Sequence, residues 1–127
     1  MPEAPRRARL LVIDDELILG RSLARALRHH DVELVVGGNA GLARLKEGEL
    51  PDLVLCDLMM PGFGGIDLYR ALEQCRPEAL ERLVFMTGGI YTADCDRFIA
   101  ENAVVVLTKP FATRLVDELV AEALAQR

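Results

Sequence analysis

Hydrophobic and polar positions follow two periodicities that alternate along the chain. Short runs rich in Val, Ile and Leu, bounded by turn residues, are separated by helix-length stretches in which apolar residues recur every three or four positions. The predicted strands are residues 9–13, 32–36, 53–56, 83–86 and 104–107. This alternation predicts an α/β protein in which helices connect the strands of a parallel sheet.

The clearest helical pattern follows the first strand. Leu19, Leu23, Ala26 and Leu27 form a stripe that packs on a sheet, and Asp15 is the predicted N-cap. Further helices are predicted at residues 40–47, 65–74 and 92–101 and after Pro110. Five strand and helix units with right-handed crossovers predict a doubly wound parallel sheet with strand order 2-1-3-4-5.

Length and composition indicate one soluble domain. The chain has 127 residues, of which 51% are hydrophobic and 28% are charged, enough for one hydrophobic core. Residues 1–8 contain two prolines and two arginines and are predicted to be a tail or linker remnant, with a single domain over residues 9–127. Apolar runs such as residues 103–107 are far shorter than the roughly 20 residues that cross a bilayer. We therefore expect a cytoplasmic protein with no membrane partner.

Charge and cysteine content exclude several classes of protein. The chain has 15 Lys and Arg against 20 Asp and Glu, a net charge of -5, which disfavours direct binding to nucleic acid. Cys56, Cys75 and Cys95 are odd in number and lack a C-x-x-C spacing. Neither a disulfide framework nor a zinc site is predicted, and the thiols are expected to be reduced.

Polar residues stand at the carboxyl ends of four predicted strands. Asp14 and Asp15 follow the first strand, Asp57 the third, Thr87 the fourth and Lys109 the fifth. In the order 2-1-3-4-5 these strands are neighbours, about 4.8 Å apart. The polar residues are therefore expected to share one pocket in the crevice at this edge of the sheet.

The residue types in this pocket indicate the chemistry of a metal and a phosphoryl group. Three adjacent carboxylates repel one another unless a cation stabilises them, and a site made only of oxygen ligands suits Mg²⁺, with Mn²⁺ as a substitute. Phosphate oxygens commonly complete the shell of Mg²⁺, and Thr87 and Lys109 are groups that could hold such oxygens. Asp57 is the best candidate nucleophile, whereas Asp14 and Asp15 are expected to hold the metal.

These residues together resemble a known family. The pair Asp14-Asp15, Asp57 followed by Leu-Met-Met-Pro-Gly, Thr87, and the pair Lys109-Pro110 are similar to the motifs of response regulator receiver domains in two-component signalling. The resemblance extends from residue 10 to about residue 125. It implies a flavodoxin-like (βα)5 fold and a signalling domain that accepts a phosphoryl group.

The resemblance also implies a role for each residue. Asp57 would accept the phosphoryl group from a phosphohistidine on a histidine kinase or histidine phosphotransfer protein, forming an acyl phosphate. Asp14 or Asp15, together with Asp57 and the backbone carbonyl of Met59, would bind Mg²⁺. A cis peptide is implied before Pro110. Contacts with the phosphoryl oxygens are implied for Thr87 and Lys109.

Other features concern how the domain is used. Receivers usually have Tyr or Phe two or three positions before the lysine, where this chain has Val106 and Leu107, so an aromatic switch is not implied. The resemblance implies a partner surface on the fourth and fifth helices and their strand, a monomer or weak homodimer, and slow self-catalysed dephosphorylation rather than enzyme activity. The segments at residues 87–89 and 109–111 are similar to receivers of hybrid histidine kinases; a single-domain regulator is the alternative.

Three other functions fit the sequence less well. A phosphatase of the haloacid dehalogenase type needs a second acid two residues after the nucleophile, where Met59 stands. A flavodoxin-like cofactor site needs backbone or hydroxyl donors after the first strand, and the acids at residues 14–16 would repel a phosphate. A receiver fold used only for docking would not need the intact acceptor and its neighbours. His29 and His30 lie at the end of the first helix, so no Ser-His-Asp arrangement is predicted.

Overall fold

Strands and helices alternate along the chain of this computed structural model, which describes residues 7–89 and 92–126. A short 3₁₀ helix, Pro77–Arg82, precedes the fourth strand. The strands are β1 (Arg9–Asp14), β2 (Asp31–Val36), β3 (Leu53–Asp57), β4 (Leu83–Thr87) and β5 (Val105–Thr108). The helices are α1 (Leu17–Ala26), α2 (Gly38–Lys46), α3 (Gly65–Cys75), α4 (Ala93–Asn102) and α5 (Thr113–Ala125).

The five strands form one parallel sheet in the order β2-β1-β3-β4-β5. This confirms the predicted fold class and strand order. Since helices cover both faces, the central strands are apolar at nearly every position. In the strand register, Asp57 lies beside Met86 and Thr87 lies beside Thr108, so the carboxyl ends of the strands reach the same edge of the sheet.

The hydrophobic core of the domain lies in two parts, one on each face of the sheet, because successive strand residues point to opposite faces. In β1, Leu10 and Val12 belong to the core that α1 and α5 cover, whereas Leu11 and Ile13 belong to the core that α2, α3 and α4 cover. The helix-side residues of the first core include Leu27, Val116 and Val120, and those of the second include Leu45, Leu68, Leu72, Cys95 and Phe98. Burying each of these Leu, Val and Phe side chains contributes about 1.5–3 kcal/mol, which fixes the helices on the sheet.

Some boundaries differ from the sequence prediction. The predicted N-cap Asp15 is wrong: Glu16 occupies that position, and its backbone N–H donates to the Oδ1 atom of Asp14 over 2.9 Å. The last strand is shifted by one residue to Val105–Thr108. The 3₁₀ helix Pro77–Arg82 was not predicted, because six residues are too few to show a helical periodicity.

The start of the domain is held by polar contacts. Residues 1–6 lie outside the described residues, but Ala8 is buried and the guanidinium of Arg7 hydrogen-bonds the carboxylate of Asp31.

The three cysteines are free thiols. Among the described residues, no helix is both long enough and apolar enough to cross a bilayer.

Candidate functional site

Three carboxylates converge at the carboxyl-terminal ends of the central strands. Asp14 ends β1, Asp15 follows it, and Asp57 ends β3. One oxygen from each of the three lies within 4.8 Å of the others. Asp14 is only 1% exposed, whereas Asp15 and Asp57 are partly open to solvent. The predicted convergence of these acids is therefore present in the fold.

Lys109 supplies the positive charge of this cluster. Its Nζ atom lies 3.4 Å from Asp14 Oδ2 and 3.3 Å from Asp57 Oδ2. The peptide bond that follows it, Lys109-Pro110, is cis, as the resemblance implied. The sequence assigned this lysine to phosphoryl oxygens alone; its pairing with both carboxylates was missed, because no local pattern records which acids a long side chain reaches.

The environment of Asp57 raises its pKa. Burial is the largest cause; the charge of Lys109 opposes it and the Asp14 carboxylate reinforces it, so that the pKa of Asp57 rises from 3.8 to about 6. The group is therefore ionised at neutral pH but close to its titration range. An ionised carboxylate that is incompletely stabilised is suited both to binding a divalent cation and to attacking an electrophile.

This pKa makes the stability of the metal-free protein depend on pH. Because the folded pKa is raised, stability is lost as the pH rises from about 4 to about 6, and Asp57→Asn removes that loss. In a chelating buffer we expect Asp57→Asn to raise the free energy of unfolding by roughly 1–2 kcal/mol above about pH 6, after allowing for solvent screening, and to change it little below about pH 4. Urea unfolding across this pH range measures the difference.

Glu47 is an exposed acid at the end of α2 and provides the matched control. Because it keeps Asp57, Glu47→Gln is expected to lose stability between about pH 4 and about pH 6 as the wild type does. A stability difference between Asp57→Asn and the wild type that stays constant over the whole range would contradict the raised pKa.

Thr87 ends β4 and is 2% exposed. Its hydroxyl oxygen accepts a weak hydrogen bond from the backbone N–H of Gly89 at 3.3 Å. Its carbonyl oxygen accepts from the backbone N–H of Lys109 at 2.7 Å. Thr87 is thus hydrogen-bonded to the loop after its own strand and to the lysine that directly follows the neighbouring strand β5, so a shift of Thr87 would be transmitted to both.

Two sulfur-containing residues flank Asp57. Cys56 is buried beneath it, and burial raises the pKa of this thiol, which excludes a competing thiolate nucleophile at neutral pH. Met59 follows Asp57 by two residues, its side chain is 51% exposed, and its sulfur lies 3.4 Å from the Sγ atom of Cys95 on α4. The loop after β3 is thereby in contact with α4 through a side chain beside the candidate acceptor.

A glycine allows α3 to begin directly against the acceptor strand. A Cβ atom at Gly65 would lie 2.9 Å from the carbonyl oxygen of Asp57 and 3.0 Å from the ring of Phe85. The backbone N–H of Gly65 also donates to the carbonyl of Leu58 at 3.0 Å. Any larger residue would displace the end of β3, and with it the Asp57 carboxylate.

The comparison with known families agrees with this geometry. Residues 10–121 match the family model of the response regulator receiver domain. The chain belongs to this family. Receiver domains generally bind Mg²⁺ at an acidic pocket and interact with histidine kinases or phosphotransfer proteins. The acids of this receiver domain lie where such a pocket is expected.

Curated relatives are DNA-binding and transcriptional regulators. The receiver domain is 36% identical over 121 residues to the DNA-binding response regulator MtrA of Mycolicibacterium paratuberculosis, covering 94% of this chain and 51% of MtrA. It is 36% identical over 109 residues to the phosphate regulon transcriptional regulatory protein PhoB of Rhizobium meliloti, covering 83% of this chain and 47% of PhoB. The chain therefore spans about half the length of the curated relatives it matches.

Solved receiver structures share the fold. A response regulator receiver domain protein from Clostridium thermocellum superposes with a TM-score of 0.78 at 24% identity, covering 94% of this chain and 95% of that one. This level of identity shows the fold alone. The five-stranded sheet with order 2-1-3-4-5 is therefore the architecture of receiver domains.

A second polar cluster lies at the opposite edge of the sheet. His29 and His30, which precede β2, both contact the Asp117 carboxylate on α5. The sequence placed these histidines at the end of the first helix but did not predict Asp117 as their partner, because 87 residues separate it from His30. A sequence signal for this contact would have had to show that α5 lies against the turn after α1.

Proposed function

We propose that this receiver domain accepts a phosphoryl group on Asp57 from a phosphohistidine. The observation that supports the proposal is the position of the Asp57 carboxyl group at the end of β3, with Lys109 Nζ at 3.3 Å and the carboxylates of Asp14 and Asp15 within 4.8 Å. In the transfer, an Asp57 carboxylate oxygen forms a bond to phosphorus while the bond between phosphorus and the donor imidazole nitrogen breaks. The donor imidazole, protonated on its other ring nitrogen, keeps the electron pair of the broken bond and leaves as the neutral ring, and Asp57 becomes an acyl phosphate.

The donor set fits Mg²⁺, or Mn²⁺ in its place. Asp14, Asp15 and Asp57 offer hard oxygen ligands, and the resemblance adds the backbone carbonyl of Met59. When bound, the ion would neutralise charge that develops on the phosphoryl oxygens. Carboxylates and waters are typical Mg²⁺ ligands, and no histidine or thiolate competes in the ligand set.

The protein's own residues account for the remaining requirements of the transfer. Lys109 offers a positive charge beside the nucleophile, where the transferred group arrives. Thr87 presents a hydroxyl on the neighbouring strand as a phosphoryl contact, and its links to Gly89 and Lys109 provide a route by which phosphorylation would alter the adjacent loops. The domain then acts as a phosphoacceptor that promotes its own phosphorylation and slow dephosphorylation, not as an enzyme that turns over a separate substrate.

Phosphoryl uptake from a small-molecule phosphodonor tests the proposal. We expect the wild type to gain one phosphoryl group with acetyl phosphate and Mg²⁺, because the acids and Lys109 are already assembled. Intact-mass spectrometry measures the gain, and a chelator is expected to abolish it. A protein that binds Mg²⁺ but gains no mass would refute the proposed acceptor function.

An apolar patch beside the site supports docking of a protein donor. Leu17, Ile18 and Leu19 open α1 directly after the acids, and Ile18 is 80% exposed. The adjacent groove of about 320 Å³ is lined by Leu19 and Phe111 and by two residues of the site, Asp14 and Lys109. An apolar surface continuous with the site fits a partner that presents phosphohistidine on an apolar helix face.

Ile18→Ser is expected to slow phosphoryl transfer from a phosphorylated histidine phosphotransfer protein by about tenfold or more, because it removes an exposed apolar contact. Uptake from acetyl phosphate is expected to stay at the wild-type rate, since Ile18 is outside the chemical site. Intact-mass time courses with the two donors measure both rates.

Ala43 is exposed on α2, outside both the apolar patch of α1 and the α4, β5 and α5 surface, and Ala43→Ser is the control. It is expected to leave both donors unaffected. Equal slowing with both donors in Ile18→Ser would contradict the docking role and indicate damage to the site itself.

A separate proposal concerns the kind of protein in which this receiver domain occurs. The segments at residues 87–89 and 109–111 favour a hybrid histidine kinase, with a single-domain regulator as the alternative, and a cytoplasmic location fits both. We propose no direct contact of residues 1–127 with nucleic acid, because their net charge is -5. Protein binding through α4, β5 and α5, as a monomer or weak homodimer, completes the proposal.

A further inference from the structure

Two histidines and an aspartate connect three parts of the fold. His30 Nε2 lies 2.7 Å and His29 Nε2 lies 2.8 Å from the same oxygen, Oδ1 of Asp117. The side chain of His30 is fully buried, that of Asp117 is partly buried, and that of His29 is more open. The contacts connect the turn between α1 and β2 to α5. They lie at the amino-terminal ends of the strands, away from the Asp57 site.

The hydrogen bonds determine where the proton of His30 resides. The backbone N–H of Ala8 donates to His30 Nδ1 at 3.0 Å, so Nδ1 must be an acceptor without a proton. The neutral ring therefore carries its proton on Nε2, which donates to Asp117 Oδ1. This relay from Ala8 through His30 to Asp117 links the segment that enters β1 to α5, and the link depends on His30 being neutral.

Charged groups on α5, on β2 and on the segment that enters β1 lie in the region of the relay. Partial burial raises the pKa of Asp117, but the hydrogen bonds from His30 and His29, together with the charges these rings carry when protonated, outweigh it, so the pKa of this carboxyl lies below its usual value. Asp31 of β2 also interacts with His30. The charged groups are Asp117 on α5, Asp31 on β2, and Arg7 and Arg9, which interact with Asp31; Arg28 directly precedes the histidines in the chain.

We propose that Ala8, His30 and Asp117 form a proton-sensitive clamp, in which a proton taken up at His30 Nδ1 breaks the hydrogen bond between His30 and the N–H of Ala8 at the entry to β1. A proton there turns the acceptor into a donor that faces the Ala8 N–H, and two donors cannot form a hydrogen bond. The contact with Asp117 survives, because Nε2 still donates. Acidification would thus remove the bond between the Ala8 N–H and His30, while the Ala8 carbonyl still accepts from the Asp31 N–H and His30 stays bound to α5.

The same hydrogen bond argues against a metal ion in this cluster. Coordination through His30 Nε2 would require the ring proton to move to Nδ1, again facing the N–H of Ala8. A metal-binding histidine normally donates its second N–H to an acceptor, whereas here the neighbouring backbone group is a donor. Proton uptake is therefore favoured over metal binding, and zinc becomes a separate arm of the test.

Side-chain ¹⁵N NMR of the full chain between pH 8 and pH 5 tests the clamp. At pH 8 we expect the Nε2–H form of His30 and a protected Ala8 amide. As His30 gains its second ring proton, the protection of the Ala8 amide against hydrogen exchange is expected to fall by about tenfold, the loss of one buried hydrogen bond. The same transition is expected in Asp57→Asn, so failure of the clamp is distinguishable from failure of the proposed phosphoryl function.

Three variants define the result. His29→Gln is expected to keep the transition, because His30 and Ala8 are intact. Asp117→Asn is expected to move it to lower pH, since a negative charge that favours the charged ring is lost. His30→Gln is expected to remove it.

Several results would overturn the clamp. These are a His30 ring that stays neutral down to pH 5 in the folded protein, Ala8 protection that is unchanged when the ring is charged, and a pH response that persists in His30→Gln. Micromolar zinc that converts His30 to the Nδ1–H form would instead establish a metal site and would equally reject the proposal.

Discussion

Asp57→Asn is expected to take up no phosphoryl group from acetyl phosphate under conditions in which the wild type gains one. The amide has nearly the shape of the carboxylate but lacks the negative charge that attacks phosphorus. The loss is expected to exceed about 100-fold in rate, because no other acid in the cluster combines partial exposure with the contact to Lys109. Intact-mass time courses with excess Mg²⁺ measure it.

Neighbouring acids separate the acceptor from its supporting residues. Asp15→Asn is expected to slow uptake but to retain one acceptor, because it weakens only metal binding. Asp94 is an exposed acid at the start of α4, and Asp94→Asn is expected to match the wild type. A full phosphoryl gain in Asp57→Asn, on whichever residue, would show that the acceptor has been assigned wrongly.

Lys109→Met is expected to slow phosphoryl uptake by about 100-fold or more while leaving Mg²⁺ binding intact. The ammonium stands 3.3 Å from the nucleophile, where it can stabilise charge on the incoming group, and loss of one such contact typically costs 100-fold to 1,000-fold in rate. Lys109 also competes with a cation for Asp14 and Asp57, so its removal is not expected to weaken Mg²⁺. Calorimetric titration and mass time courses measure the two quantities separately.

The same variant tests the electrostatics of the metal-free site. Without the lysine, the buried Asp14 carboxylate and Asp57 repel each other, so the free energy of unfolding in chelator is expected to fall by about 2 kcal/mol and to recover with Mg²⁺. Lys46→Met, at an exposed position on α2, is the control. A rate within about threefold of the wild type, with normal stability, would exclude Lys109 from both roles.

The strand positions were predictable because their signal is local. Residues buried on both faces of a parallel sheet form short apolar runs, and polar residues stand out where such runs end. Asp57 and Thr87 each follow a run of this kind, and the rules of crossover connections bring those ends to one edge. The convergence of the site followed from these two facts.

Helix caps and side-chain partners were less predictable. Asp15 and Glu16 are both polar and adjacent, and the N-cap position was decided by the bond from the Glu16 N–H to Asp14. The clamp of His30 and Asp117 depends on how α5 lies against the turn after α1, which no local pattern records.

The sequence by itself determined the order of strands and helices, the edge of the sheet that carries the chemistry, and the residue types available there, because periodicity and strand ends are properties of neighbouring positions. Only the tertiary structure decided that Lys109 pairs with both Asp14 and Asp57, how far burial raises the pKa of Asp57, and which nitrogen of His30 carries the proton. These properties depend on distances of a few ångströms between groups far apart in the chain, and electrostatic and hydrogen-bond energies change steeply over such distances.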